Sequence, residues 1–165
     1  MEEAREHPAL AELWAGHHRF LSRRPALPKV HTPRVAMLAC ADARVDPARI
    51  FDAEVGELFV VRTAGNVVSK EVLEALAFAG KLGVSGIVVL GHTDCGAVWD
   101  ALSESPALPA TASQIRANLA GEKDPAEAAR AHARATARRI EAELGPGIPV
   151  LAALFRVENG EVEWL

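Results

Sequence analysis

The stretch Val35-Ala36-Met37-Leu38-Ala39-Cys40-Ala41-Asp42-Ala43-Arg44 joins a continuous apolar run to residues that carry chemistry. A short run without polar residues is typical of a strand buried on both faces of a parallel sheet. In open α/β sheets, functional sites form at the carboxyl ends of strands, where loops leave the sheet. The stretch therefore predicts a parallel sheet with a site at Cys40, Asp42 and Arg44.

Similar runs predict the rest of the sheet. Further strands are expected at 57–61, 86–90 and 149–157, and the turn Glu158-Asn159-Gly160 predicts a short last strand at 161–165. Helical periodicity predicts helices at 9–21, 69–82 and 126–144, the second with Ser69 as its N-cap. Alternating strands and helices imply right-handed crossovers. The predicted fold is a single α/β domain whose central, mostly parallel sheet has four parallel strands plus a short C-terminal edge strand and is flanked by helices.

Composition restricts the class of protein. The 165 residues are predicted to form one domain, 1–165, in which 1–24 is an N-terminal helical arm ahead of a proline-bearing stretch. An apolar content of 50% with 24% charged residues excludes a mainly disordered chain. The net charge of −4, with scattered basic residues, argues against nucleic-acid binding. A membrane span and a secretory signal are not expected, so the predicted location is cytoplasmic.

A second strand end carries Gly91-His92-Thr93-Asp94-Cys95-Gly96. Thr93 or Asp94 is suited to cap a helix, with Cys95 in its first turn and His92 on the same side. Cys40 and Cys95 are the only two cysteines, and a lone pair in a reducing compartment is more often metal-binding or catalytic than a disulfide. Two thiolates and an imidazole leave the fourth tetrahedral position open, which is the pattern of a catalytic zinc site.

The first strand end places a carboxylate and a guanidinium near these candidate zinc ligands. Cys40, Asp42 and Arg44 are spaced by two, so an extended backbone would place their side chains on one face. Arg44 could then clamp Asp42 with two parallel hydrogen bonds and keep it ionised. A single buried Cys or His is more often an ordinary core residue. The coincidence of both cysteines with a histidine at two strand ends favours the metal site.

These two motifs and Phe59-Val60-Val61-Arg62-Thr63-Ala64-Gly65-Asn66 strongly resemble the β-class carbonic anhydrases, and the likeness extends from about Leu13 to the carboxyl terminus. The resemblance implies one Zn²⁺ per chain, bound by Cys40, His92 and Cys95, and reversible hydration of carbon dioxide to bicarbonate and a proton. It implies that Asp42 accepts a hydrogen bond from the zinc-bound hydroxide and that Arg44 holds Asp42. In some members this Asp becomes a fourth zinc ligand in a closed state.

The resemblance also implies substrate contacts and an assembly. Gly96 matches a glycine near bound substrate, while Phe59 and Ala64 match positions that line the carbon dioxide pocket. His31 stands where plant-like members place a Gln that hydrogen-bonds bicarbonate, and Ala77 stands where they have a Tyr. The family works as dimers whose N-terminal helix packs on the neighbour, so a homodimer or a dimer of dimers is expected.

Three other functions are compatible with parts of this pattern. Relatives within the fold hydrolyse carbon disulfide or carbonyl sulfide, and nothing in the sequence excludes this. A non-catalytic zinc-binding regulator is the second, although the presence of both Asp42 and Arg44 argues against it. A cysteine phosphatase is disfavoured, because only three residues separate Cys40 from Arg44 where a phosphate-cradling loop needs five.

Overall fold

A five-stranded sheet forms the centre of the computed structural model, which describes residues 7–165. The strands lie in the order β2-β1-β3-β4-β5. β1 to β4 run parallel, and β5 pairs antiparallel with β4 at the edge. This arrangement confirms the predicted fold class. The strands are β1 (Val35–Cys40), β2 (Leu58–Thr63), β3 (Ile87–His92), β4 (Val150–Phe155) and β5 (Val162–Trp164).

Six helices accompany the sheet within the described residues. Ser69 accepts a hydrogen bond from the backbone N–H of Val72 and so caps α3, as predicted. Asp124 caps the longest helix by accepting from the N–H groups of Ala126 and Glu127. The helices are α1 (Pro8–Leu21), α2 (Pro47–Ile50), α3 (Lys70–Lys81), α4 (Gly96–Leu102), α5 (Pro109–Asn118) and α6 (Pro125–Leu144).

The two faces of the sheet are covered differently. Ala36 and Leu38 of β1 face α3 and α6, in a core that includes Leu76 and Ile140. α4 and α5 extend this side toward the carboxyl ends of the strands, in a cluster that contains both cysteines. The alternate residues of the strands form a smaller core on the opposite face, covered by α2 and adjoining loops.

The strand order places a crevice between β1 and β3. The chain goes from β1 to β2 on one side and returns across β1 to β3 on the other. The loops after β1 and β3 therefore leave in opposite directions, which creates the topological switch point where ligands bind in open α/β sheets. Cys40 ends β1 and His92 ends β3, so both lie at this crevice.

The N-terminal helix α1 lies ahead of this core. The predicted arm covers 1–24, of which residues 1–6 lie outside the described residues. None of the residues of α1 that the structure describes is buried, and Leu13 is 71% exposed. Among residues 7–165, none of the helices combines the length and the apolar character needed to cross a bilayer.

Candidate metal centre

The carboxyl ends of β1 and β3 bring Cys40, His92 and Cys95 together. The two Sγ atoms and one imidazole nitrogen all lie within 4.8 Å of one another, and all three residues are buried. Because zinc bonds to sulfur and nitrogen are about 2.0–2.3 Å long, ligand atoms around one tetrahedral ion lie roughly 3.3–3.8 Å apart, and a group confined within 4.8 Å needs only small side-chain movements to reach that spacing. The cluster therefore has the dimensions of a single metal site.

The local structure around the second motif corrects the sequence prediction. Cys95 is itself the N-cap residue of α4, and neither Thr93 nor Asp94 caps the helix. Instead the Thr93 hydroxyl donates to Glu158 at 2.7 Å, and the Asp94 carboxylate accepts from Arg44. Asp94 adopts a positive φ of 53°. The tight turn 93–95, and not a helical turn, thus brings His92 and Cys95 together.

The His92 ring is oriented for a metal. Its Nδ1–H donates to the carbonyl oxygen of Thr93 at 2.8 Å, which leaves Nε2 as the unprotonated nitrogen of the neutral ring. Nε2 is buried and has no hydrogen-bond partner among residues 7–165. A buried nitrogen without a partner is costly, and a metal ion removes that cost. Thr93 is fixed in turn, because its N–H donates to Phe155 and its hydroxyl accepts from the N–H of Val157.

The two thiols influence each other's pKa. A hydrogen bond from Cys95 is the main cause that lowers the pKa of Cys40, assisted by the backbone N–H of Gly65 at 3.3 Å from Sγ. The same thiol contact, together with burial, raises the pKa of Cys95. A divalent metal favours the thiolate form of both residues. The donor set fits zinc.

Asp42 and Arg44 form the predicted ion pair, but by a different route. The chain turns after β1, with the N–H of Val45 donating to the carbonyl oxygen of Asp42, so the backbone is not extended through this motif. Nε and an Nη atom of Arg44 donate to the two carboxylate oxygens of Asp42 at 3.0 and 2.8 Å, and the backbone N–H of Arg44 donates as well. These bonds lower the pKa of Asp42 to about 2. Asp42 is therefore ionised and held by Arg44.

Two residues for which the sequence predicted no contact with Cys40, Asp42 or Arg44 stabilise this arrangement. Asp94 accepts from the other Nη atom of Arg44 at 2.8 Å, so Arg44 links the two strand-end loops. Arg62, on β2, donates to the carbonyl oxygens of Cys40 and Asp42 at 2.9 and 2.6 Å. Arg62 belongs to the quoted 59–66 motif, but its partners are backbone atoms of another strand and leave no signal in the sequence.

The structure divides the predicted substrate residues into two groups. Ala64 follows Thr63, which pairs with Cys40, and Gly96 is exposed directly after Cys95. Both lie at the metal end of the sheet. Phe59 pairs with Ala36, four residues before Cys40, and His31 stacks on Phe59 with ring centroids 5.9 Å apart. At about 3.3 Å per residue, Phe59 is about 13 Å along the strand from the cluster within one chain.

Comparisons with known proteins identify relatives of this chain by sequence and by fold. The carbonic anhydrase family profile matches residues 35–145. Carbonic anhydrase 2 of Mycobacterium tuberculosis is 41% identical over 100 residues, covering 53% of this chain and 48% of the relative. Beta-carbonic anhydrase 1 of Mycobacterium bovis is 42% identical over 71 residues, covering 42% and 44%. The chain thus spans about half the length of the curated relatives it matches.

Solved structures share the fold. The β-carbonic anhydrase CafA of Aspergillus fumigatus matches with a TM-score of 0.72 and 22% identity, over 95% of this chain and 88% of that chain. A carbon disulfide hydrolase in its apo form matches with a TM-score of 0.60 and 20% identity, over 93% and 87%. These likenesses show a shared fold only, whereas the family profile covers most of this sequence. The chain belongs to the β-carbonic anhydrase family.

Proposed function

We propose that this protein catalyses the reversible hydration of carbon dioxide to bicarbonate and a proton, with one Zn²⁺ per chain. The observation that carries the proposal is the buried group of two thiols and one partnerless imidazole nitrogen beside an ionised, clamped carboxylate. Three protein ligands leave one tetrahedral position for a reactant, which is the pattern of catalytic zinc. Family membership supports the same reaction.

Cys40, His92 and Cys95 would hold the ion. When bound, zinc supplies a Lewis acid that lowers the pKa of water and makes a nucleophile available near neutral pH. The protein contributes the orientation of its ligands, because the Thr93 carbonyl fixes the His92 ring and the Gly65 N–H contacts the Cys40 sulfur. Such outer contacts set ligand basicity and geometry.

Asp42 has the role of orienting the attacking oxygen. As an ionised carboxylate it accepts hydrogen bonds only, so a hydroxyl group beside it must point its proton toward Asp42 and a lone pair away. Arg44 keeps the carboxylate in place through its two side-chain bonds and thereby keeps Asp42 from becoming a fourth ligand. Positioning of this kind is a large part of catalysis, since small displacements of reacting groups are costly.

Gly96 and Ala64 are proposed to contact substrate at the mouth of the site. The direction in which a Gly96 side chain would extend has no heavy atom within 4 Å, so this face is open. The backbone N–H of Gly96 begins α4, where N–H groups lack intrahelical acceptors and can donate to an oxyanion. Ala64 offers a small apolar surface suited to carbon dioxide.

The proposed assembly is a homodimer in the cytoplasm. Leu13, Trp14 and Phe20 of α1 are each at least 40% exposed, which favours a second copy as their partner. His31 and Phe59 lie away from the cluster of their own chain, so their proposed contact with substrate requires the site of the neighbouring copy. A β-carbonic anhydrase of Sordaria macrospora, with a TM-score of 0.70, is described as tetrameric. The reduced thiols required at the metal site support the cytoplasmic location.

The test combines zinc content with stopped-flow carbon dioxide hydration for wild type, Cys95→Ser and Val98→Ala. Val98 is buried on α4 three residues after Cys95 and is not a ligand candidate, so Val98→Ala controls for local destabilisation. We expect about one zinc per chain and strong hydration in wild type and Val98→Ala, and loss of both in Cys95→Ser. The Cys40 and Cys95 thiolates offset the charge of the ion and make it a weaker Lewis acid, so it should lower the pKa of water less than an all-histidine site does. Activity should therefore rise between about pH 6.5 and 9.

Two results would contradict the proposal. Wild type that binds zinc but hydrates no carbon dioxide up to about pH 9 would redirect the search to carbon disulfide and carbonyl sulfide, assayed on the same sample. Wild type that binds neither zinc nor another divalent cation would remove the metal site itself.

A further inference from the structure

His132 is a buried histidine that the proposed chemistry does not use. It lies on α6, in the alanine-rich part of the helix, and only 2% of it is exposed. Burial lowers its pKa, which keeps the ring neutral at physiological pH. A neutral buried imidazole needs one donor and one acceptor as partners. The identity of these partners links His132 to the metal centre.

Both ring nitrogens of His132 are satisfied in one tautomer. Nε2 lies 2.8 Å from the carbonyl oxygen of Gly65, and because a carbonyl can only accept, Nε2 must carry the proton. Nδ1 lies 2.9 Å from the side-chain nitrogen of Asn118, which donates to it. Asn118 ends α5, so this pair of hydrogen bonds joins two helices to the loop after β2.

Gly65 in turn contacts the metal ligand. Its backbone N–H donates to the Cys40 sulfur at 3.3 Å. Gly65 has a φ of +66°, and a Cβ there would lie 2.9 Å from atoms of Ala97 and Ile115. The Gly65 backbone therefore packs closely against α4 and α5, and its carbonyl oxygen accepts a hydrogen bond from His132. A hydrogen bond to a thiolate is sensitive to small shifts of the donor, so this placement matters for Cys40.

We infer that His132 is a positioning residue for the metal site: its Nε2–H holds Gly65 where the Gly65 N–H hydrogen-bonds to the Cys40 thiolate. The inference rests on the proposed metal site and extends it to a helix that contributes no ligand. Hydrogen bonds from outer residues tune how strongly a ligand donates to its metal. Loss of the His132 contact should weaken metal binding, because Gly65 then no longer fixes the position of the Cys40 sulfur. A Cys40 sulfur without the Gly65 N–H should also donate more charge to a metal that is bound.

Two substitutions separate this role from simple packing. His132→Gln can place an amide N–H near the position of Nε2 and keep the bond to Gly65. His132→Asn is too short to reach Gly65 and can only replace the Nδ1 side of the ring, toward Asn118. Thr136→Val is the matched control, since Thr136 lies one turn further along α6 and is also 2% exposed. Thermal unfolding of each metal-free variant monitors general destabilisation.

The primary measurement is zinc affinity, determined by competition with a chromophoric chelator. We expect His132→Asn to bind zinc about 10-fold or more weakly than wild type, with His132→Gln and Thr136→Val close to wild type. The second measurement uses Co²⁺ as the bound metal. The thiolate-to-cobalt charge-transfer band should move to lower energy in His132→Asn alone, because a sulfur without its N–H partner donates more readily.

The outcomes distinguish this inference from the proposed function. Equal zinc affinity and an unchanged cobalt band in His132→Asn would overturn the inference and leave the proposed function intact. An equal loss of affinity in His132→Asn and His132→Gln, without a band shift, would also overturn it, because only packing would then be involved. Wild type that binds no metal would overturn both.

Discussion

The metal end of the sheet and the N-terminal helix α1 differ in whether their side chains have partners within the same chain. At the metal end, Asp42, Arg44 and Asp94 are mutually paired, and the carbonyl oxygens of Cys40 and Asp42 have Arg62 as donor. On α1, none of the described side chains is buried, and Leu13 is 71% exposed. Within residues 7–165, the charged side chains around the candidate metal centre therefore have partners in the same chain, whereas the apolar side chains of α1 have none that buries them.

This difference separates two kinds of prediction. Groups whose partners lie in the same chain can be tested by their effect on metal binding and chemistry. Groups that lack a burying partner within the described residues 7–165, such as Leu13, should act through assembly. If the comparison is correct, substitutions in the two regions change different measurements.

The largest expected effect is that of Arg44→Ala at the metal end. Asp42 would lose both side-chain bonds that orient it, so carbon dioxide hydration should fall by about 100-fold or more while zinc content stays near one per chain. Stopped-flow hydration and metal analysis measure these quantities. Arg34→Ala is the control, because Arg34 forms a comparable ion pair with Glu57 at 2.9 Å outside the site and should not alter the rate. Full activity in Arg44→Ala would contradict the proposed role of the Asp42–Arg44 pair.

The next effect concerns α1. Leu13→Asp places a charge on a side chain that is 71% exposed in one chain, so the stability of the isolated chain should change little. In the proposed dimer the same charge would be buried, and sedimentation should show dissociation. Activity should fall several-fold with zinc retained. Leu108→Asp, at an exposed leucine outside α1, is the control. A wild type that sediments as a monomer at all concentrations contradicts the proposed assembly.

Local patterns predicted most of the fold. The apolar runs identified all four parallel strands, and Ser69 and Pro125 marked the starts of α3 and α6 to within a residue. Helix and strand periodicity depends only on near neighbours in sequence, and so does a cap. That Cys40, His92 and Cys95 lie together was also predictable, because each follows or ends a recognisable strand.

The errors and omissions have a different physical origin. Thr93 and Asp94 were predicted as caps by residue type, but distant partners, Glu158 and Arg44, compete for their side chains. The role of His132 depends on a contact 67 positions away in sequence, with Gly65. Such contacts are fixed by packing of α6 on the sheet and leave no periodic signal. Propensity therefore fails where side chains have long-range hydrogen bonds.

A third prediction concerns His31, whose ring stacks on Phe59. If His31 contacts substrate, His31→Ala should lower kcat/KM several-fold by the same factor at low and high buffer concentration. A proton shuttle would instead show a loss at low buffer that added buffer restores. Thr32→Ala, at the exposed neighbouring residue, should leave the rate unchanged. Rescue by buffer would assign His31 to proton transfer and remove it from substrate binding.

The smallest expected effect is the pH dependence of stability that His132 contributes. Burial lowers its pKa in the folded chain, whereas in the unfolded chain it titrates near about 6.5. Below that pH the unfolded state takes up a proton at His132 and the folded state does not, so acidification destabilises the fold. Because Gln does not titrate, the free energy of unfolding of wild type minus that of His132→Gln should decrease as pH falls below about 6.5. Its slope is at most about 1.4 kcal/mol per pH unit.

Urea unfolding of the metal-free proteins from about pH 7.5 to 5 measures this difference. The other five histidines are common to both chains and cancel. Parallel pH profiles would mean that His132 is protonated equally well in the folded chain, and the neutral tautomer that donates to Gly65 would then have to be abandoned.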